Sequence, residues 1–267
     1  MEAEQYGIIK TSIKRLLNID LTYYKDEQMR RRLDSWLIRS GAQNWDVYLH
    51  RLSSDSVELR KFRDYLTINV SEFFRDPERW QALRTQVLPD LLKEALRTNP
   101  PRGGLRIWSA GCSIGPEPYT LAILLDEIAP GRDHTIVATD LDQGALAKAK
   151  AGGPFTADDI RNLTPAQRAN YFEAGGPPFM VKPRFAQRIR FQEQNLLTDP
   201  FDKNFDLIVC RNVIIYFTTE AKATLYQKFH AALRPGGVLF LGGTEIIPRP
   251  MEIGFQNRSV SFYYKVG

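Results

Sequence analysis

The stretch WSAGCSIGPEPYTLAILL, residues 108–125, indicates a β-strand that runs through a glycine turn into an α-helix. Glycines at the carboxyl end of a parallel strand let a ligand approach the backbone and the helix N-terminus. Gly111 and Gly115 are spaced G-x-x-x-G, whereas dinucleotide-binding proteins carry G-x-G-x-x-G, and close strand–helix packing explains such a pair equally well. The stretch therefore predicts one βα unit of an open sheet and leaves its ligand undecided.

Four further short apolar runs follow the opening stretch: HTIVATDL, RIRFQEQN, FDLIVCRN and GVLFLGG. Helical segments follow the first, second and fourth of the five runs, and such alternation predicts an α/β domain with a mainly parallel sheet over residues 99–267. The alternation stops at about residues 154–190, where we expect an inserted small β-subdomain with a short helix and a hairpin.

The chain before this domain reads as helical. Apolar residues recur at helical spacing over residues 1–68, which predicts an N-terminal all-helical domain; they include Tyr6, Ile9, Ile13, Leu16, Met29, Leu33, Trp36 and Leu37. Asn44 is expected to cap a third helix carrying Val47 and Leu52, and Val57, Phe62 and Tyr65 suggest a fourth.

Residues 69–98 form a predicted connector and linking helix. Asp76 and Pro77 fit the N-cap and first helical position of that helix. Pro89 is expected to bend or divide it, because proline lacks the backbone N–H.

Composition narrows the class of protein. The 267 residues carry a formal net charge of +5, which favours an acidic partner or nucleic acid without choosing between them. The second helix concentrates basic residues that form either a solvated face or a docking surface: Lys25, Arg30, Arg31, Arg32 and Arg39.

Two cysteines, Cys112 and Cys210, are too few for a disulfide framework. The N-terminus lacks the pattern of a secretory signal, so we expect a cytoplasmic protein.

Two acidic residues narrow the ligand of the glycine turn. Asp140 ends the second predicted strand, where a carboxylate accepts hydrogen bonds from ribose hydroxyls. Glu117 stands at the start of the helix, in the place where a pyrophosphate would need positive charge. A carboxylate there suits an amine or a sulfonium, which favours S-adenosylmethionine over NAD, although interaction with the helix dipole also explains an acid at this position.

Five ordered blocks, NVSEFFRD, WSAGCSIGPEPYTLA, NLL, CRNVIIYF and LRPGG, resemble the chemotaxis-receptor glutamate methyltransferases, the CheR family. The resemblance implies an N-terminal helical domain and a Rossmann-like methyltransferase domain with an inserted small β-subdomain. It also implies methyl transfer from S-adenosylmethionine to receptor glutamates, giving methyl esters and S-adenosylhomocysteine. The implied partner is the cytoplasmic helical region of membrane chemoreceptors, bound through the basic N-terminal domain by a monomer, without nucleic acid or membrane insertion.

The same resemblance implies the site residues. Arg75 and Tyr216 are expected nearest the reacting methyl, and no metal is expected because the sulfonium methyl is activated and a glutamate carboxylate is ionised near pH 7. The implied cofactor shell consists of Asn69, Ser71, Arg75, Glu117, Asp140, Asn195, Leu196, Arg211 and Asn212. Turn capping is the alternative role for Asn195 and Asn212, and closure of the pocket by an aromatic ring is the alternative for Tyr216.

The chain departs from the family pattern in two places. Pro116 replaces the first acid of the relatives' Gly-Glu-Glu-Pro-Tyr, whereas Glu117 keeps the second. The expected hairpin at residues 173–188 is shorter than in relatives that grip a receptor tether, so we expect a tether-independent enzyme. Two other functions stay open: a regulatory nucleotide-binding module with a methyltransferase fold, and an RNA methyltransferase, although the chain has no Asn/Asp-Pro-Pro-Tyr motif.

Overall fold

The computed structural model describes residues 2–67, 70–100 and 103–267. The chain divides into two compact units. The first, here the helical unit, comprises Met1–Asn69 and Ile214–Thr224; the second, the sheet unit, comprises Val70–Val213 and Leu225–Gly267. The expected boundary at residue 68 lies outside the described residues, and the division into residues 1–68, 69–98 and 99–267 stays a prediction.

The helical unit contains α1 (Ala3–Leu17), α2 (Asp26–Ser40), α3 (Trp45–Ser54) and α4 (Ser56–Thr67). Asn44 caps α3 as predicted, because its Oδ1 accepts the Val47 N–H at 3.0 Å. Val47 and Val57, however, are exposed rather than in the core. Residues of one helix face lie three or four positions apart, and the buried face of α3 is that of Trp45, Tyr48 and Leu52. Leu17, not Leu16, completes the buried face of α1.

The sheet unit is built on seven strands in the order β3-β2-β1-β4-β5-β7-β6. Their bounds are β1 Arg106–Ala110, β2 Thr135–Asp140, β3 Ile189–Glu193, β4 Phe205–Cys210, β5 Leu233–Leu241, β6 Phe255–Ser259 and β7 Phe262–Lys265. The first five strands pair in parallel, and β7 runs antiparallel to both β5 and β6. The predicted mainly parallel sheet is confirmed, and β6 and β7 are additions that the sequence patterns did not indicate.

Helices follow or precede these strands. They are α5 Pro77–Ala82, α6 Leu88–Thr98, α7 Pro116–Ile128, α8 Gln143–Ala151, α9 Pro165–Tyr171, α10 Pro183–Ala186 and α11 Thr219–Ala232. The strand order reverses between β1 and β4, and ligands of open parallel sheets bind beyond the carboxyl ends of the strands at such a reversal. In the part of the chain that the structure describes, no helix is both long and apolar enough to span a membrane.

The linking helix is divided, as Pro89 suggested. A π-helical turn at Leu83–Val87 separates α5 from α6, and π turns are a recognised way to interrupt a helix. Asp76 does occupy the N-cap position of α5, but its side chain makes no capping hydrogen bond. Its carboxylate instead forms an ion pair with Arg211, with Nη2 and Oδ2 2.7 Å apart.

The segment at residues 154–190 differs from expectation. It holds α9 and α10 and closes on the single bridges Phe155↔Phe179 and Phe172↔Val181, without the expected hairpin of paired strands at residues 173–188. Three prolines inside that range, Pro177, Pro178 and Pro183, lack the N–H groups that a β-ladder needs. An inserted β-subdomain over these residues therefore stays a prediction.

Candidate functional site at the carboxyl edge of the sheet

The glycine turn after β1 is tied to β2. The N–H groups of Gly111 and Cys112 both donate to the Thr139 carbonyl, at 2.8 and 2.9 Å. Gly111 has a φ of +81°, and a Cβ there would lie 2.5 Å from Cγ2 of Val213, just beyond β4. Glycine is thus required both by the left-handed backbone and by the close approach of the next strand's end.

Gly115 serves the packing of the helices. It has a φ of +105° at the N-cap of α7, and a Cβ would lie 3.0 Å from both Ala149 Cβ on α8 and Tyr119 Cε2. Strand–helix and helix–helix packing therefore accounts for Gly115 without a ligand. The glycine pair by itself is not evidence for a cofactor.

Asp140 stands at the end of β2 and is oriented by the backbone. Its Oδ2 accepts the Ser113 N–H at 2.7 Å, and its Oδ1 accepts the Asp142 N–H at 2.9 Å. Burial raises the pKa of the carboxyl, and these backbone hydrogen bonds oppose the shift. Each carboxylate oxygen has a second lone pair, so the fixed group retains acceptor capacity for hydroxyl donors.

Glu117 lies in the first turn of α7 and points back to β1. Ser109 Oγ donates to Glu117 Oε1 at 2.7 Å. Burial raises the pKa of Glu117 to about 7, and the negative charge of Glu245 acts in the same direction; the Arg211 charge, the Ser109 hydrogen bond and the Arg75 charge oppose it. A nearby cation lowers the pKa of such a carboxyl, because it stabilises the ionised form.

Arg211 follows β4 and is the buried cation of the site. Its side chain is 2% exposed, pairs with Asp76, and lies over the rings of Trp80 and Phe240 at 5.3 and 4.9 Å. Burial lowers its pKa, and the charges of Glu117 and Asp76 oppose that effect. Its Nε has no hydrogen-bond partner among the described residues. A buried, unpaired donor is costly, so the site has unused capacity to bind an acceptor.

Arg75 occupies a strained corner. The residues on either side of it, Phe74 and Asp76, have φ values of 50° and 57°. Phe74 is held by a hydrogen bond from its N–H to Thr120 Oγ1 at 3.1 Å. The half-buried Arg75 interacts electrostatically with both Glu117 and Arg211. Left-handed backbone at non-glycine residues is typical of functional sites, and here it occurs on both sides of a charged residue.

The end of β3 carries the predicted Asn195 and Leu196. Asn195 Oδ1 accepts the Leu197 N–H at 3.0 Å, which is the turn-capping role considered as an alternative. Leu196 is buried, and its carbonyl accepts from Lys228 Nζ at 2.8 Å. Ser71 is half-buried in the sheet unit, and Asn69 lies outside the described residues.

Tyr216 belongs to the helical unit. Its carbonyl accepts the Lys25 N–H at 3.0 Å, and the neighbouring Phe217 packs edge-on against Tyr24 with ring centroids 5.2 Å apart. The structure thus brings Arg75, Glu117 and Arg211 together in the sheet unit, with Asp140 at the end of β2. It places Tyr216 with the helices, which no sequence pattern indicated.

Two family models match the chain. "CheR methyltransferase, SAM binding domain" matches residues 69–263, and "CheR methyltransferase, all-alpha domain" matches residues 4–67. The chain belongs to the CheR methyltransferase family. It is an S-adenosylmethionine-dependent methyltransferase of chemotaxis. The family, the cofactor and the mainly parallel sheet with an N-terminal helical domain that the sequence blocks implied are confirmed.

Curated relatives agree with this assignment. A chemotaxis protein methyltransferase of Listeria monocytogenes is 42% identical over 253 residues, which is 95% of this chain and 94% of the relative. Chemotaxis protein methyltransferase 1 of Pseudomonas aeruginosa is 35% identical over 254 residues, covering 91% and 90% of the two chains. A chemotaxis protein methyltransferase of Borreliella burgdorferi is 33% identical over 260 residues, or 90% of each.

The observed groups suit this cofactor chemically. S-adenosylmethionine offers ribose hydroxyls and an ammonium as donors and a carboxylate as acceptor. The site offers two carboxylates, Asp140 and Glu117, and the unpaired Nε of Arg211. In the described residues no group of three or more His, Cys, Asp or Glu side chains forms a candidate metal site.

The cysteines Cys112 and Cys210 are buried free thiols, and burial raises the pKa of both.

Glu245 is a buried acid at this edge that no sequence pattern indicated. Glu245 follows β5 and is 4% exposed. Its Oε2 accepts N–H groups from Asn212 at 2.9 Å and from Gly242 at 2.7 Å. Its signal in the sequence is an acid that follows an apolar strand, two glycines and Thr244, whereas Asp140 is the last residue of its own strand.

Proposed function

We propose that this methyltransferase transfers the methyl group of S-adenosylmethionine to glutamate side chains in the cytoplasmic helices of chemoreceptors. The products are glutamate methyl esters and S-adenosylhomocysteine. The observation that carries the proposal is the charge arrangement at the sheet edge, where Arg75, Glu117 and Arg211 interact with one another in a chain that belongs to the CheR family. The printed names of the relatives, chemotaxis protein methyltransferases, support the receptor substrate.

The cofactor is assigned to the residues of the sheet edge and the connector. Asp140 is proposed to accept hydrogen bonds from the ribose hydroxyls, and Glu117 to pair with positive charge at the amino-acid end. When bound, the cofactor supplies an activated methyl on a sulfonium. The full proposed shell consists of Asn69, Ser71, Arg75, Glu117, Asp140, Asn195, Leu196, Arg211 and Asn212.

The protein's contribution to catalysis is orientation and exclusion of water. A glutamate carboxylate is already ionised near pH 7, so no general base is needed. Correct orientation of reactants lowers a barrier by roughly 7 to 11 kcal/mol. Arg75 is proposed to hold the incoming carboxylate through its planar guanidinium, which binds carboxylates with two parallel hydrogen bonds. Tyr216 is proposed to complete the orientation through its hydroxyl.

The receptor is proposed to dock on α2 of the helical unit. Of the basic residues there, Arg30 lies 4.3 Å from the Tyr6 ring centroid, and Arg32 donates to the Tyr65 carbonyl and lies over its ring. Arg31 and Arg39 are exposed and flank Ile38, which is 81% exposed. An acidic helix is complementary to this positive stripe.

Binding the cytoplasmic region of a receptor places the enzyme in the cytoplasm, and we propose that it acts there as a monomer. The segment at residues 173–188 forms no hairpin of paired strands, which supports action without a receptor tether.

The test is transfer of labelled methyl to membranes that contain receptors, followed by mild alkali. Glutamate methyl esters release volatile labelled methanol, and we expect this product with the wild-type enzyme and none with RNA as acceptor. In the Tyr216→Phe variant, turnover should fall by more than cofactor affinity, whereas equal loss of both would refute the role of Tyr216. Tight cofactor binding without transfer to any of several receptors would contradict the proposed function and favour a regulatory module.

A further inference from the structure

Glu245 is a buried carboxylate near the predicted site, 4% exposed, and has no role in the proposed cofactor shell. Its Oε2 accepts two backbone N–H groups from different places: Asn212, directly after Arg211, and Gly242, at the end of β5. One carboxylate oxygen therefore joins the ends of two neighbouring parallel strands. The N–H of Glu245 in turn donates to the Gly242 carbonyl at 3.0 Å, which closes a tight turn around the side chain.

The backbone around Glu245 is built to admit this carboxylate. A Cβ on Gly242 would lie 2.6 Å from Glu245 Oε2 and 3.1 Å from the Asn212 nitrogen. Asn212 itself has a φ of 60°, in the left-handed region that few non-glycine residues adopt. Asparagine adopts this region more readily than most residues, and the hydrogen bond to Glu245 holds its N–H in place there.

The charge of Glu245 also acts on the site. It interacts electrostatically with Glu117, where it opposes ionisation, and with Arg211, where it favours the cation. The other groups that act on Glu117 are the Ser109 hydroxyl and the cations Arg75 and Arg211, and the thiols Cys112 and Cys210 interact with it as well.

We propose that Glu245 is a positioning residue for methyl transfer: it holds the end of β4 that carries Arg211 and Asn212, and its charge contributes to the electrostatic balance at Glu117. This inference rests on the proposed assignment of the cofactor to that edge. Glu245 acts through Asn212 and Glu117 and has no assigned contact with the reacting groups. Its geometric and electrostatic contributions are separable, because glutamine keeps a carbonyl oxygen for the two N–H groups and lacks the charge.

The experiment measures S-adenosylmethionine affinity by calorimetry between pH 6 and 8.5 for the wild type, Glu245→Gln and Glu245→Ala. Glu245→Ala leaves the Asn212 and Gly242 N–H groups without their acceptor, and affinity should fall about ten-fold. Glu245→Gln should bind within about two-fold of the wild type at pH 8, where Glu117 is ionised in both proteins. Its pH midpoint for binding should be lower by several tenths of a unit, because one negative charge beside Glu117 is gone.

The control is Glu252→Gln, an exposed carboxylate paired with Arg249 on the surface, which should match the wild type throughout. If Glu245→Ala fails to fold, the Glu245→Gln midpoint decides. An unshifted midpoint in Glu245→Gln, or unchanged affinity in a folded Glu245→Ala, overturns the proposal. Failure of the proposed function would give a different result. Cofactor affinity would change in these variants as expected, but neither the wild type nor any variant would methylate receptors.

Discussion

The ends of β2 and β4 lie at the same edge of the sheet and are built in different ways. At β2, backbone N–H groups of Ser113 and Asp142 hold the Asp140 carboxylate. At β4, Arg211 is held by ionic groups, pairing with Asp76 and interacting with Glu117 and Glu245. The β2 end is thus suited to neutral hydroxyl donors and the β4 end to charged groups. This difference matches the proposed cofactor, whose ribose carries neutral hydroxyls and whose amino-acid end carries charges.

The largest effect is expected at the β2 end. Asp140→Asn removes the charge that strengthens two hydrogen bonds to ribose hydroxyls, and affinity for S-adenosylmethionine should fall about 300-fold. Asp142→Asn is the matched control, because Asp142 caps α8 through a bond from the Ala145 N–H at 3.0 Å and asparagine caps equally well. Calorimetric titration of both variants checks this. Equal affinities for the two variants would mean that Asp140 does not hold the cofactor.

Gly111 packs the turn after β1 against Val213 at the end of β4. Gly111→Ala should therefore disturb the β4 end and leave the β2 end unchanged. The added Cβ must enter a left-handed conformation and displace Val213, and the free energy of unfolding should fall by about 2 to 3 kcal/mol. Gly131→Ala isolates the backbone cost, because Gly131 has a φ of +77° with nothing within 4 Å of its Cβ position; it should lose about 1 kcal/mol. Urea unfolding measures both. Similar losses of unfolding free energy in the two variants would show that Val213 moves aside without cost.

Glu117, which interacts with Arg211 at the β4 end, should make the free energy of unfolding depend on pH. Burial raises its pKa from an ordinary value of 4.5 to about 7, so the folded protein binds this proton more tightly than the unfolded chain. Stability should therefore fall as pH rises from about 4.5 to about 7, relative to Glu117→Gln, by about 1.5 kcal/mol for a partly exposed side chain. Urea unfolding across that range tests the slope. A wild-type curve parallel to that of Glu117→Gln would contradict the raised pKa.

The smallest effect is expected outside the sheet edge. Arg31→Gln combined with Arg39→Gln should raise the KM for receptor a few-fold at low salt and flatten the salt dependence of methylation, since exposed charges are screened. Cofactor affinity should not change. Arg60→Gln, an exposed arginine on α4, is the control for loss of charge alone. If Arg60→Gln has the same effect as the α2 variants, α2 is not the docking surface.

The parallel part of the fold was predictable because its strands are short apolar runs or, in β3, an alternating run, each followed by a local turn signal. The two antiparallel strands were not. β6 carries a single buried residue, Phe255, and exposes Gln256, Asn257 and Arg258, so no alternation marks it. Its position depends on pairing with β7 across the sheet, which short-range patterns do not encode.

The candidate site was predictable where the chemistry is local. Glu117 and Asp140 follow directly from the βα turn and the strand end. The interactions of Asp76 and Glu245 were missed because each carboxylate finds its partner across the fold: Arg211 for the first and the N–H of Asn212 for the second. Likewise, the sequence did not separate the exposed Arg31 from the engaged Arg32, because their difference arises only when α2 packs against Tyr65.

A crystal structure of the protein with S-adenosylhomocysteine tests the central claim most directly. The account predicts ribose hydroxyls within hydrogen-bond distance of the Asp140 carboxylate and the amino-acid end of the ligand between Glu117 and Arg211. A ligand bound elsewhere, or one whose ribose makes no contact with Asp140, would contradict the assignment of this edge as the cofactor site.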